Sequence, residues 1–325
     1  MDAMEKKYNF RLRKDGSFRV LHLTDIQETM YPRKDTVRLL HALIEAADPD
    51  LIILTGDQIK GYSPLFRLLG VRGAKMAMQW QADCLERHGI PFAVTFGNHD
   101  AQCGLSNEEQ ARVYRTFAHA ICPNEGVGSG TFCLSVKGDE AQEALRLYIL
   151  DSGNKREKGG YLPPDPKVLG WLQNTLKTFA AVPSVVFQHI PLPEYKECKN
   201  VKIQEPICSP DQNAGEFDIL REHGNVLAVF CGHDHKNDFL GEKDGITLGY
   251  TPSCGFASYG PGAQRGGRLL VFRTNAQGPM TWQTKLLRYS DLIAPHTRHR
   301  WKEYLDTHVM TCWPQEKQRK KEEKA

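Results

Sequence analysis

Five short polar motifs each close an apolar, strand-like run, and this arrangement constrains the fold more than any other feature. The runs are FRVLHLT, LIILT, PFAVTF, SVVFQ and VLAVFC. They lead respectively into Asp25-Ile26-Gln27, Gly56-Asp57, Gly97-Asn98-His99-Asp100, His189 and Gly232-His233-Asp234-His235. Fully apolar runs of this length read as buried strands, and helical patterns lie between them. In open α/β sheets, side chains that bind ligands gather beyond the carboxyl ends of the strands. The five motifs are therefore expected at one edge, where they would bring together carboxylate oxygens, an amide oxygen and imidazole nitrogens. That mixture suits divalent metals of the manganese, iron and zinc type, and no thiolate is included. Singly, each motif has a plainer explanation, such as an aspartate capping the next helix or a histidine satisfied within the core. Their joint occurrence in this order argues for metal.

The secondary-structure pattern supports such a sheet. A hairpin is expected over residues 8–24, turning at Lys14-Asp15-Gly16. Helices are expected over 35–47 with Asp35 as cap, over 74–88, from the capping box Ser106-x-x-Glu109 to about 119, from Asp165-Pro166 to Phe179, and over 216–223. β segments near 237–241, 246–250, 268–273 and 281–287 close the chain. Alternation followed by an antiparallel finish means α/β with a mixed sheet, or two sheets stacked between helical layers. With 325 residues and no internal repeat or linker, one domain over residues 1–313 is expected. Residues 314–325 form a charged tail, expected to be solvated and disordered.

Composition removes several classes of function. Two of the three net positive charges lie in that tail, which carries five Lys/Arg against three Glu. The body is therefore near neutral, which argues against a dedicated nucleic-acid-binding surface. No apolar run reaches the roughly 20 residues that span a bilayer, and the first residues lack the apolar centre of a signal peptide. The nine cysteines are dispersed without a CxxC, as expected of a reducing compartment. Together these point to a cytoplasmic protein with no membrane partner.

The motif set resembles the calcineurin-like metallophosphoesterase superfamily, whose pattern is Asp-x-His, Gly-Asp, Gly-Asn-His-(Asp/Glu), His, Gly-His-x-His. The likeness runs from about Phe18 to Arg273. LYILDSG (147–153), HIPLPEY (189–195) and GHDHKNDF (232–239) further resemble its purple-acid-phosphatase-related, yeast-cell-cycle-phosphatase-like subgroup. The resemblance implies a four-layer α/β/β/α sandwich of two mixed sheets flanked by helices. It implies a dinuclear metal-dependent phosphoesterase that cleaves a phosphomonoester or phosphodiester of a small phosphorylated substrate, by attack of a metal-bridging hydroxide. A cyclic-nucleotide or other small-molecule phosphodiesterase is the alternative within that chemistry. A non-catalytic interaction scaffold on the same fold is the alternative outside it. By the same resemblance, Asp57 would bridge two ions, Asp25 and His235 would hold the first, and Asn98, His189 and His233 the second. His99 would act on the phosphoryl group or leaving oxygen, oriented by Asp100.

Two positions depart from the family. Lys60 stands where coloured purple acid phosphatases carry a tyrosine ligand, so no purple colour is expected. Gln27 replaces the usual histidine of the first motif. Its neutral amide oxygen either binds metal directly or reaches it through water. In both cases the two ions, manganese, iron or zinc, would be held unequally, with magnesium a further option at the Gln27 site. For the substrate, the expected contacts are Lys196, in the loop after His189, and Tyr250, Tyr259 and Arg265, after the last motif.

Overall fold

A computed structural model describes residues 8–123, 127–138, 142–157, 159–274 and 279–308; the tail from 314 lies outside these. The first sheet is built from β1 (Ser17–Leu23), β2 (Leu51–Thr55), β3 (Phe92–Thr95), β4 (Ala120–Ile121) and, from the end of the chain, β11 (Gly266–Arg273) and β12 (Thr281–Arg288). Its order is β12-β11-β1-β2-β3-β4. The second holds β5 (Phe132–Lys137), β6 (Glu143–Ile149), β7 (Ser184–Phe187), β8 (Val226–Cys231), β9 (Leu240–Lys243) and β10 (Ile246–Tyr250), in the order β5-β6-β7-β8-β10-β9. The strands β1, β2, β3 and β4 run parallel to one another, as do β6, β7, β8 and β10, while β11 and β12 in the first sheet and β5 and β9 in the second pair antiparallel with their neighbours. Two mixed six-stranded sheets result, as expected from the sequence.

Strand alternation assembles the layers. In β1, Phe18 and Val20 face a core shared with Leu147, Val185, Phe187 and Phe230 of the second sheet. Leu21 and Leu23 face the other way, onto α1 (Lys34–Ala47) and α2 (Pro64–Glu86), through Leu39, Leu43, Ala77 and Met78. On the far side, Tyr148, Val186 and Val229 meet Val168, Leu172 and Leu176 of α4 (Pro166–Thr178) and Phe217 and Leu220 of α5 (Glu216–Glu222). Between them in the chain, α3 (Asn107–Tyr114) carries the expected capping box, with the Ser106 hydroxyl accepting from the Glu109 amide. The chain ends its described part with α6 (Tyr289–Leu292) and α7 (Arg300–His308).

Three local expectations are corrected. The Asp-Gly turn forms, with the Arg13 amide donating to Ser17 O at 2.7 Å, but before Arg13 the arm leaves β1. The Leu12 amide donates to Lys137 O and the Lys137 amide to Phe10 O, so that arm lies along β5, while β1 pairs with β11. Asp35 does not cap α1; it sits in the first turn and accepts from the Tyr289 hydroxyl at 2.8 Å. The helix expected over 74–88 starts ten residues earlier at Pro64, with a break at Gly70 (φ 50°).

One polar side chain interrupts the inter-sheet core. His22 is fully buried and sits edge-on to the Phe187 ring. Its nitrogens meet Thr55 Oγ1 and Thr251 Oγ1, both at 2.7 Å, so the ring ties the ends of the two sheets together. Burial, assisted by the charge of Arg268, pushes its pKa down from 6.5 to about 3. Across that window the unfolded chain binds a proton that the folded chain refuses, so stability falls as pH drops. At pH 5 the loss through His22 amounts to about 2 kcal/mol. Denaturant unfolding between pH 7 and pH 5 should show a shallower pH slope in His22→Gln than in the wild type; equal slopes would contradict this account.

Candidate metal centre

The carboxyl ends of β1, β2, β3, β7 and β8 meet where the two sheets face each other, and each carries one motif. The loops there are unusually tight. Asp25, Gln27, Asp57 and His233 all have positive φ, at 52°, 37°, 50° and 74°. Such conformations cost energy for residues with a Cβ and cluster at functional sites. Close approach also needs missing side chains. A Cβ on Gly97 would run into Asp57 Oδ1 and the His189 ring, and one on Gly232 into Thr24 Oγ1 and Asp25 Oδ2.

Asp57 is anchored through both carboxylate oxygens. Its Oδ1 accepts from the His99 amide at 2.8 Å. Its Oδ2 accepts from Gln27 Nε2 at 2.7 Å and lies 3.5 Å from His189 Nε2. Asp25 Oδ2 accepts from the Thr24 hydroxyl (2.7 Å) and the His233 amide (2.9 Å), while Oδ1 lies 3.2 Å from His235 Nε2. The carbonyls of Thr55 and Tyr259 take the Nδ1 protons of His189 (2.9 Å) and His235 (2.7 Å). A carbonyl can only accept, so these bonds aim Nε2 of both rings at the carboxylates. His233 Nδ1 is 3.3 Å from His189 Nε2.

Asp25, Asp57 and His189 each offer a ligand atom within 4.8 Å of the others. Around them, both amide atoms of Asn98 and His233 Nε2 are buried without a hydrogen bond. An unsatisfied buried polar atom costs about 1–3 kcal/mol, so this cluster calls for a compensating ligand. Electrostatics identify its sign. Burial opposes ionisation of Asp57, yet the charges of His189 and His99 hold its carboxyl well below the usual range. Against its own burial, His189 is pushed up to about 9 by Asp57 and Asp25. His233 is driven down to about 3 by burial and by His189, which keeps it neutral and able to donate a lone pair. The site calls for positive charge, and its oxygen and nitrogen donors fit a divalent cation.

The remaining expected residues divide. His99 is half-buried at the rim, with Nδ1 2.9 Å from Gln102 Oε1 and its ring 4.6 Å from that of Tyr62. Asp100 does not orient it. The Asp100 carboxylate is fully buried and accepts from the amides of Asp57 (2.8 Å), Gly97 (2.8 Å) and Ile59 (3.0 Å). It clamps two motif loops together, and Gln102 takes the orienting position beside His99. Tyr250 and Arg265 do not reach the site either. Tyr250 donates to Asp234 Oδ2 at 2.5 Å inside the core, and the Arg265 guanidinium is enclosed by Ser253, Ser258 and Asp306. Tyr259 does adjoin the centre, its ring stacked on His235 at 4.2 Å. Lys196 is exposed on the turn Pro193–Glu197. Lys60, in the place of the tyrosine ligand, donates to Ala257 O at 2.6 Å. Tyr161, absent from any motif, meets the His233 ring edge-on at 4.5 Å.

The chain is similar to known proteins in sequence and in fold. The family model described as "Calcineurin-like phosphoesterase" matches residues 18–237. "Probable inactive purple acid phosphatase 14" of Arabidopsis thaliana is 29% identical over 301 residues, covering 77% of this chain and 73% of the plant protein. "Phosphatase DCR2" of Saccharomyces cerevisiae is 24% identical over 290 residues, covering 76% of this chain and 48% of the yeast protein. Among solved structures, a dimetal phosphatase from Danio rerio superposes with a TM-score of 0.56 at 13% identity, covering 84% of this chain and 99% of that one. With its motifs converging on one buried, cation-seeking centre between two sheets, the chain belongs to the calcineurin-like phosphoesterase family, on its purple-acid-phosphatase-related side.

Proposed function

We propose that the chain hydrolyses a phosphate ester of a small molecule at a two-cation centre. The observation that carries this is the convergence of Asp25, Asp57 and His189, each with a ligand atom within 4.8 Å of the others, with Asn98 and His233 Nε2 buried beside them without a hydrogen bond. Asp57 would be the shared ligand, Asp25 and His235 would hold one ion, and Asn98, His189 and His233 the other. Manganese, iron or zinc fits these donors. Two divalent ions so held neutralise phosphate oxygens and acidify water. The protein's own share is positioning and proton transfer. The Thr55 and Tyr259 carbonyls fix the imidazoles, Asp100 fixes the loops, and Gln102 Oε1 holds His99 Nδ1, so that the ring, when it is the imidazolium, would give its Nε2 proton to the leaving oxygen.

Gln27 makes the two ion sites unequal in this reading. Its Nε2 donates to Asp57 Oδ2, and its amide brings no imidazole to the ion that Asp25 and His235 would hold. The Asn98–His189–His233 site would therefore fill first, and magnesium would compete better at the Gln27 site than at the other.

A second reading has one support. The plant relative is named as inactive, which favours a scaffold that keeps the fold without the reaction. Retention of the ligand set and of His99 supports catalysis. The cytoplasm remains the proposed location; among the described residues no helix is long and apolar enough to cross a membrane.

Metal-loaded protein should turn over a chromogenic phosphate monoester or diester. Asp57→Ala should abolish this, and His99→Ala should lower kcat by about 10²–10⁴-fold with metal content retained. Full activity in either variant would rule out these roles. Elemental analysis after dialysis should find one tightly held zinc per wild-type chain and two in Gln27→His; unchanged stoichiometry would show that Gln27 does not weaken a site.

A further inference from the structure

The first half of α2 carries an apolar face that no described residue covers. Phe66, Gly73, Ala74, Ala77 and Met78 are buried in the core, while Leu65, Leu68, Val71 and Met76 are exposed, Leu68 by 80%. Single exposed apolar side chains are ordinary, but a cluster on one segment marks an interaction surface. Tyr31, also exposed, borders it, since its neighbour Met30 packs against Gly73. The segment is convex. Its helix breaks at Gly70, and a Cβ there would meet nothing within 4 Å. Behind the tip, Val71, Arg72, Lys75, Met76 and Gln79 line an open hollow of about 570 Å³.

Charge on this face is one-sided. Residues 58–82 contain Lys60, Arg67, Arg72 and Lys75 and no Asp or Glu. Arg67, Arg72 and Lys75 are exposed, and among the described residues none of the three has an ion-pair partner. Arg33 and Lys34, exposed beyond Tyr31, extend the basic border. These features select the occupant. A protruding tip offers a peptide no groove, and a second copy would set the same cations against one another. A bilayer surface accepts protruding apolar side chains at its headgroup boundary, and anionic headgroups supply the missing counter-charge. We infer that segment 65–76 docks the protein on an anionic phospholipid surface, with Leu68 and Val71 entering the headgroup–acyl boundary and Arg67, Arg72 and Lys75 on the phosphates. The expectation of no membrane partner rested on the lack of a spanning run, and docking on a surface needs none. Leu65 lies three residues beyond Tyr62, whose ring meets that of His99 at 4.6 Å, so the segment begins beside the rim of the metal centre. The inference does not depend on the reaction there.

The test is co-sedimentation of the full chain with vesicles of phosphatidylcholine alone and of phosphatidylcholine mixed equally with phosphatidylserine. Partitioning onto the phosphatidylserine vesicles should be stronger by about tenfold or more, and should fall as salt screens the cations. Leu68→Ser combined with Val71→Ser should lower it by about tenfold at unchanged charge, and Arg67→Gln combined with Arg72→Gln should remove most of the preference for phosphatidylserine. All four side chains are exposed, so the variants should keep the wild-type unfolding midpoint. Absence of binding to phosphatidylserine vesicles would overturn the inference. So would binding that the Leu68 and Val71 changes leave intact, which would assign attachment to the charged residues 314–325. A dimer in solution that those changes dissolve, without vesicle binding, would assign the face to a second copy instead.

Discussion

Two carboxylates, Asp25 and Asp57, are buried at the seam between the sheets, and the rest of the site follows from making that tolerable. Unpaired buried charge is among the costliest features a fold can carry. Here the compensation is distributed. Backbone amides of His99 and His233 and the Gln27 and Thr24 side chains each take an oxygen. His189 and His235 are aimed at the pair by backbone carbonyls, and His189 is pushed up to about 9 largely because cationic charge is favoured there. The donors left without partners mark where that compensation stops and where a divalent cation completes it.

The fold serves this centre by bringing parallel strand ends from two sheets face to face. Loops from β1, β2 and β8 turn through left-handed conformations at Asp25, Asp57 and His233. Gly97 and Gly232 let them close to contact distance. Asp100 then locks the β2 and β3 loops by accepting three amides. Beneath them, His22 links Thr55 to Thr251 across the sheets. The centre is therefore held by bonds between elements distant in sequence, which is why removing Asp100 or His22 would disturb it without touching a ligand.

Much of this was legible in the sequence, for identifiable reasons. Apolar runs of strand length ending in metal-type side chains specify both the sheets and the edge where they meet. The capping box at Ser106 and the Asp165-Pro166 start are local signals, and both formed as read. What escaped depends on tertiary partners. The arm before Gly16 pairs with β5, more than 100 residues away. Arg265 reads as a phosphate contact until Asp306, 41 residues later, is seen to hold it. Tyr250 is the last residue of β10, and nearness to a motif does not say which face of the strand it occupies. Tyr161 carries no motif, and only the fold brings its ring to His233, 72 residues later.

The proposed centre stands or falls on Asp57 being shared by two cations. Anomalous scattering from crystals soaked in manganese or zinc tests this directly. The account predicts two peaks about 3.5–4 Å apart on either side of the Asp57 carboxylate, the stronger one against Asn98, His189 and His233. Absence of density at Asp57, or a single ion held by other residues, would contradict it.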